Sequence, residues 1–285
     1  MKVADECFSC LLSQGERAIA LAGVKGRNKE VMTSKVGEFL KENFRDNRIP
    51  AQLGTELQYL VFELTAVKDP LKEKKRRAND VAMSLSDTAE RTVARAEDRL
   101  RQAVKIALAG NLIDFAVYAA EVDARILEDA LQDPLIIDDC DALAELLHDS
   151  KTVLYICDNA GEIVFDKVLI DELIRMGLEV TACVKSAPIV NDATMKDADY
   201  VGLTGICEVI TIGAATIGTT LSMCSKEFLR RLENSDLVIS KGQANFETLH
   251  KIKNKKIAFL LKAKCPVIAE YLGVGKNSSI VKVKV

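Results

Sequence analysis

Apolar residues in the first 150 positions recur at helical spacing. In "MTSKVGEFLKENF" they fall at Val36, Phe39, Leu40 and Phe44, one face of a helix. "SLSDTAERTVARAEDRLRQAVKIALAG" is rich in Ala and in charge and ends on Gly110, a residue suited to a C-terminal cap. "LIDFAVYAAEV" and "DCDALAELLHDS" continue the pattern, while Pro50, Pro70 and Pro134 punctuate between segments. From Lys151 the period changes. Short β-prone runs, "TVLYIC", "LEVTACVK", "EVITI", "DLVIS" and "KIAFLLKA", alternate with helical ones such as "EIVFDKVLIDELIRMG" and "SKEFLRRLEN". That alternation predicts parallel strands joined by crossover helices. The closing "SIVKVKV" alternates apolar with polar or basic residues and reads as an edge strand, with an antiparallel direction open to it. The expected fold is therefore α/β, with a helical N-terminal lobe over 1–150 packed on a doubly wound, mostly parallel sheet domain over 151–285.

Composition narrows the classes. With 39 basic and 42 acidic side chains the formal charge is −3, so no basic excess is available for a broad nucleic-acid surface. The longest uncharged span, 209–225, is too short for a membrane helix and is rich in Gly and Thr. Asp5 and Glu6 interrupt any apolar run at the start, as a signal peptide would not, and the chain is expected to be cytoplasmic. Its eight cysteines are then expected as thiols, with Cys157 and Cys183 filling the core from inside strands. Oligomeric state is left open by these features.

In open parallel sheets ligands gather beyond the carboxyl ends of the strands, so those ends can be read off the chain. After "TVLYIC" come Asp158, Asn159, Gly161 and Glu162. After the second strand come Lys185, Asn191, Asp192 and Thr194, and after the third Gly213, Gly218, Thr219 and Thr220. Lys241, Gly242, Asn245 and Glu247 follow the fourth, and Lys264 the fifth. Asp158, Asn159 and Asp192 are hard oxygen donors of the kind that suits Mg²⁺ or Mn²⁺ better than zinc. The two carboxylates also need a cation if both are to be ionised in one pocket. Asn191, Thr219 and Lys241 stand where a phosphoryl group would be held. The set suits phosphoryl transfer to water, with Asp158 and Asp192 at its centre.

Each residue alone has a plainer reading. Asp158 or Asn191 could cap a helix, Glu162 could complement a helix dipole, Lys241 could cap a strand and the Gly–Thr loop could be a tight turn. Their shared place at one edge of one sheet favours the joint reading. A haloacid-dehalogenase nucleophile wants a second Asp two positions on, where this chain has Ala160. No P-loop or strand-linked GxGxxG is present, and His148 and His250 are the only histidines.

Several motifs in order, "CDNAGE", "VKSAPIVNDAT", "IGAATIGTTLS", "DLVISKGQANFETL" and "LLKAKCPVIA", resemble the DUF89 family of metal-dependent damage-control phosphatases. "CFSC", "DPLKEKKRRAN" and "AGNLIDF" in the helical half carry the likeness across nearly the whole chain, on the branch of the family with an N-terminal CxxC. The resemblance implies a divalent metal, Mn²⁺, Co²⁺, Ni²⁺ or Mg²⁺, held by Asp158, Asn159 and Asp192. It implies that Asn111, Asp114 and Lys241 help to hold a small phosphorylated metabolite such as a sugar phosphate. Two positions depart from the family pattern: Ala244 where Gly is common, and Leu71 where Tyr is usual.

Cys7 and Cys10, at i and i+3, are open to core packing or to a redox or metal role. The run "KEKKRR" over 72–77 reads as a solvated helix face, with attraction of anionic substrate as the rival. A carboxyl methyltransferase and a non-catalytic metal or metabolite sensor are the competing functions. The absence of a glycine-rich cofactor loop after "TVLYIC" counts against the first.

Overall fold

The structure is a computed structural model, and it describes residues 1–110 and 125–285. Helices α1 (Asp5–Leu21), α2 (Gly26–Asn43) and α3 (Pro50–Thr65) come first, followed by α4 (Lys72–Arg95) and α5 (Arg99–Ala109). Pro50 opens α3 at a position where a missing N–H costs nothing. The buried residues of α1, Cys7, Leu11, Gly15, Ala18 and Ile19, follow the helical repeat. They close on Val36 and Leu40 of α2 and on Leu53 and Leu57 of α3 to form a small core. Gly15 lets α1 and α2 approach closely, because a Cβ there would lie 2.7 Å from Val36 Cγ1.

The rest alternates as expected. After α6 (Arg125–Gln132) come β1 (Leu135–Asp138), α7 (Cys140–His148), β2 (Thr152–Ile156), α8 (Glu162–Arg175) and β3 (Glu179–Val184). Then follow α9 (Met195–Tyr200), β4 (Glu208–Thr211), α10 (Lys226–Asn234), β5 (Leu237–Lys241), α11 (Gln243–Leu249), β6 (Ile257–Lys262), α12 (Pro266–Leu272) and β7 (Ser279–Lys284). The strands form one sheet in the order β1-β7-β6-β5-β2-β3-β4. All pairs are parallel except β6 with β7. The fold is thus the α/β, mostly parallel arrangement expected.

Two details differ from expectation. β7 runs antiparallel, as its alternation allowed, but it is not an edge strand, because β1 pairs with its outer side. β1 itself went unanticipated: four residues after Pro134 are too short to show a period, and the strand comes from ahead of residue 150.

Both faces of the sheet are covered, so its central strands read as continuous apolar runs. Val153 and Tyr155 of β2 point into the core shared with α4, α5 and α8. Leu154 and Ile156 point the other way, toward Phe228 of α10, Phe246 of α11 and Ile268 of α12. The chain steps from β2 outward to β3 and β4, then returns to β5 on the other side of β2. The crevice at the carboxyl ends of β2 and β5 is the switch point of this doubly wound sheet. The helical cluster meets that end: Tyr59 Oη of α3 donates to Ala215 O at 2.9 Å, and Ile217 N donates to Thr55 Oγ1 at 2.9 Å. No helix among the described residues is long and apolar enough to cross a membrane.

Candidate active site

β2 leaves the sheet through Cys157, Asp158 and Asn159, and β3 leaves it through Lys185 toward Asp192. Ala160 N donates to Asn191 O at 2.9 Å and Ala193 N to Asp158 O at 2.8 Å, which sets Asn159 and Asp192 opposite each other in an antiparallel bridge. Two loops thus bring the three expected metal ligands to one corner. Val190 sits at φ 44°, a left-handed conformation that a β-branched residue rarely adopts, just before Asn191 and Asp192. Strain of this kind persists where the surroundings fix the backbone, and it concentrates at functional loops.

α4 locks the corner from the side. Gly161 N donates to Asn79 Oδ1 at 2.7 Å, and Asn79 Nδ2 donates to Asp197 Oδ1 at 3.0 Å. Asp197 in turn accepts from Thr194 N and Thr194 Oγ1 at the start of α9. One buried asparagine therefore ties the β2 loop to the β3 loop.

The site is crowded with carboxylates. Asn159 Nδ2 donates to Asp158 Oδ2 at 3.2 Å and to Glu162 Oε1 at 2.8 Å. Both bonds use the amide nitrogen, so Oδ1 is the Asn159 atom suited to meet a cation. Gly242, at φ 80°, lies directly against Asp158: a Cβ there would stand 2.0 Å from Asp158 Oδ2. Burial pushes the Asp158 carboxyl well above its ordinary range, and Glu162 and Asp192 push it further. Burial also raises Asp192, against the pull of Lys185, whose Nζ is 3.4 Å from Asp192 Oδ2. Lys185 Nζ also donates to Gly218 O at 2.6 Å. Hard oxygen donors short of positive charge are the arrangement that a divalent cation would satisfy, so the residues present fit such an ion.

Lys241 lies deeper than its position at a strand end suggests. Its ammonium donates to Ala107 O at 2.8 Å and to Asp166 Oδ1 at 2.5 Å, and stands 3.7 Å from Glu162 Oε2. Burial pulls this ammonium down, but Asp166 and Glu162 outweigh it and its pKa is raised. Tyr155 Oη donates to the same Asp166 oxygen at 2.8 Å. Thr219 is fully buried and donates to Asn245 Oδ1 at 2.8 Å, while Asn245 Nδ2 donates to Lys241 O at 2.8 Å and Cys157 O at 3.3 Å. Gly218, beside Thr219, has φ 68° and no room for a Cβ, which would lie 2.3 Å from Ala244 O, so the turn is tight at Ala244. Asn111 and Asp114 lie outside the described residues.

Asp166, Tyr155 and Asn79 were not anticipated. Asp166 did leave a trace: it follows Glu162 by four residues on one helix, so both acids share one face. Lys185 and Glu162 belong to the strand-end inventory but were not named as site residues. A cavity of about 520 Å³ opens between α1, α3, the start of α4 and these loops. Ala160, Val190 and Asn191 line it, as does Leu71, whereas Asp158, Asn159 and Asp192 lie within two residues of these along the chain and are not among the lining residues.

Cys7 is buried and accepts from Ala4 N at 3.4 Å, and burial raises its thiol pKa. Cys10 is exposed, both are free thiols, and no cluster of three or more His, Cys, Asp or Glu suited to a metal occurs among the described residues. In the basic run, Lys72, Lys74, Arg76 and Arg77 are exposed while Lys75 turns inward to pair with Asp69 at 3.1 Å.

Residues 3–280 match the damage-control phosphatase ARMT1-like domain. The chain is 34% identical over 282 residues to a damage-control phosphatase of Pyrococcus horikoshii, covering 98% of this chain and 97% of that one. It is 36% identical over 291 residues to a damage-control phosphatase of Archaeoglobus fulgidus, covering 99% of each. The crystal structure of a DUF89 family protein from Pyrococcus horikoshii matches the fold with a TM-score of 0.91 and 33% identity, over 99% of this chain and 98% of that one. With sequence and fold agreeing along nearly its full length, the chain belongs to the damage-control phosphatase ARMT1-like, or DUF89, family.

Proposed function

We propose that this protein is a divalent-metal-dependent phosphatase that hydrolyses small phosphorylated metabolites. The observation that carries the reading is the bridge between Asn159 and Asp192, which gathers two aspartates and one amide at the switch point of the sheet. Asp158, Asn159 and Asp192 would hold the ion, by Asn159 through Oδ1. A dication held there would polarise a phosphoryl oxygen and ease deprotonation of a hydrolytic water. Lys185, beside Asp192, adds positive charge on the β3 side, where a phosphoryl oxygen would gain from it. Lys241 acts from behind the site: it balances Glu162 and Asp166 and so fixes the end of α8 against which Asn159 rests. Asn191 lines the cavity beside Val190 and would contact the body of the substrate from the β3 loop.

The test is hydrolysis of an aryl phosphate with Mn²⁺, Co²⁺, Ni²⁺ or Mg²⁺ and with EDTA, together with calorimetric titration of Mn²⁺ into the stripped protein. Metal should restore activity after EDTA, and Asp158→Asn or Asp192→Asn should lower kcat/KM by about a hundredfold or more. Both variants should also lose Mn²⁺ binding in the calorimeter. Activity indifferent to chelation, or Mn²⁺ bound equally well by Asp158→Asn, would overturn the reading.

A further inference from the structure

The cavity between the helical cluster and the loops after β2 and β3 carries charge of one sign. Arg17 of α1, Lys68 ahead of α4, and Lys74 and Lys75 of α4 line it, and no carboxylate does so among the described residues. Lys75 is matched by Asp69 at 3.1 Å. Arg17 and Lys68 are exposed at the cavity, and their side chains make no hydrogen bond or ion pair with any described residue. Ala160 and Asn191, from the loops that carry Asp158, Asn159 and Asp192, line the same cavity. A phosphomonoester whose phosphoryl group is held by those loops therefore leaves Arg17 and Lys68 of the same cavity available for a second group of the molecule.

Apart from Gln14, Gln58 and Asn191 the remaining lining is apolar, with Leu21, Phe62 and Leu71 among its residues. Its volume, about 520 Å³, falls within the usual range for small-molecule sites. Such a cavity suits a compact carbon skeleton with an anion at each end. We infer that the substrate is a phosphomonoester bearing a second anionic group, a phosphate or a carboxylate, and that Arg17 and Lys68 bind that group. This rests on the phosphatase reading above for the first phosphate only. Arg17 presents a fork of N–H donors that matches either anion, and Lys68 adds a point charge beside it. Hydrogen bonds to a charged group contribute enough for about a tenfold gain in selectivity.

The experiment compares kcat/KM for a hexose monophosphate, a hexose bisphosphate and a phosphorylated sugar acid, in the wild type and in Arg17→Gln/Lys68→Gln. The wild type should favour one or both doubly anionic substrates by about tenfold, and the double variant should bring the ratio close to one. Comparing bisphosphate with sugar acid tells which anion the subsite takes. Equal kcat/KM for all three in the wild type, or a preference that survives the double variant, would overturn the inference while leaving the phosphatase reading intact. Calorimetric binding of the hexose bisphosphate to metal-free protein separates the two ideas. A protein that hydrolyses none of the three, yet binds the bisphosphate about tenfold more weakly in the double variant, would sink the phosphatase reading and uphold the second subsite.

Discussion

The Lys241 ammonium lies 2.5 Å from Asp166 Oδ1, with both side chains completely buried. The pair joins β5 to α8 and, through Glu162 and Asn159, reaches the acidic corner. Removing one partner leaves an uncompensated charge in the core, so Lys241→Met should cost about 3–5 kcal/mol. Lys241→Met combined with Asp166→Leu should recover most of that loss, because an apolar pair of similar volume often replaces a buried ion pair at little cost. Urea unfolding of the single and double variants checks this. A double variant no more stable than Lys241→Met would show that the pair is not the source of the cost.

Gly242 follows Lys241 directly and presses on Asp158. At φ 80°, with a hypothetical Cβ only 2.0 Å from Asp158 Oδ2, the position admits no other residue without moving the carboxylate. Gly242→Ala should cost about 1–3 kcal/mol of stability from backbone strain. Displacing the proposed ligand should also weaken Mn²⁺ binding by about tenfold or more. Calorimetry with Mn²⁺ reads the second effect separately from thermal unfolding. Wild-type affinity in Gly242→Ala would remove the glycine from the account of the site.

The strand ends were legible because β2 to β6 are short β-prone runs of four to six residues between helical segments, and ligands collect where such strands stop. The tie between the β2 and β3 loops was legible only as a shared edge. That Asn159 and Asp192 face each other depends on the backbone bonds Ala160–Asn191 and Ala193–Asp158, which no periodicity encodes. Lys241 illustrates the limit in the other direction. A lysine after a strand looks like a ligand for phosphate, and nothing near it in the chain foretells that Asp166, 75 residues away, meets its ammonium. β1 escaped notice for a similar reason: Leu135–Asp138 becomes a strand because β7 offers it an edge, not because of a pattern of its own.

Glu247 of α11 offers a test away from the site. It accepts from Ala51 N at 3.1 Å at the start of α3, so it links the sheet layer to the helical cluster. Burial, only partly offset by hydrogen bonds from Gln243 and the Ala51 amide, pushes its carboxyl up to about 7 from 4.5. A raised acid holds its proton in the folded state after the unfolded chain has released it. Its contribution is therefore fully present below about pH 4.5, declines as pH rises toward 7 and is lost above that. The full effect is on the order of 3 kcal/mol. Glu247→Gln keeps an acceptor for the Ala51 amide without a charge to bury, so it should match the wild type near pH 4.5 and exceed it in stability at pH 8. The check is urea unfolding of both proteins at several pH values across that window. Parallel curves would show that the ionised carboxylate is accommodated at no cost, and that the link between α11 and α3 does not respond to pH.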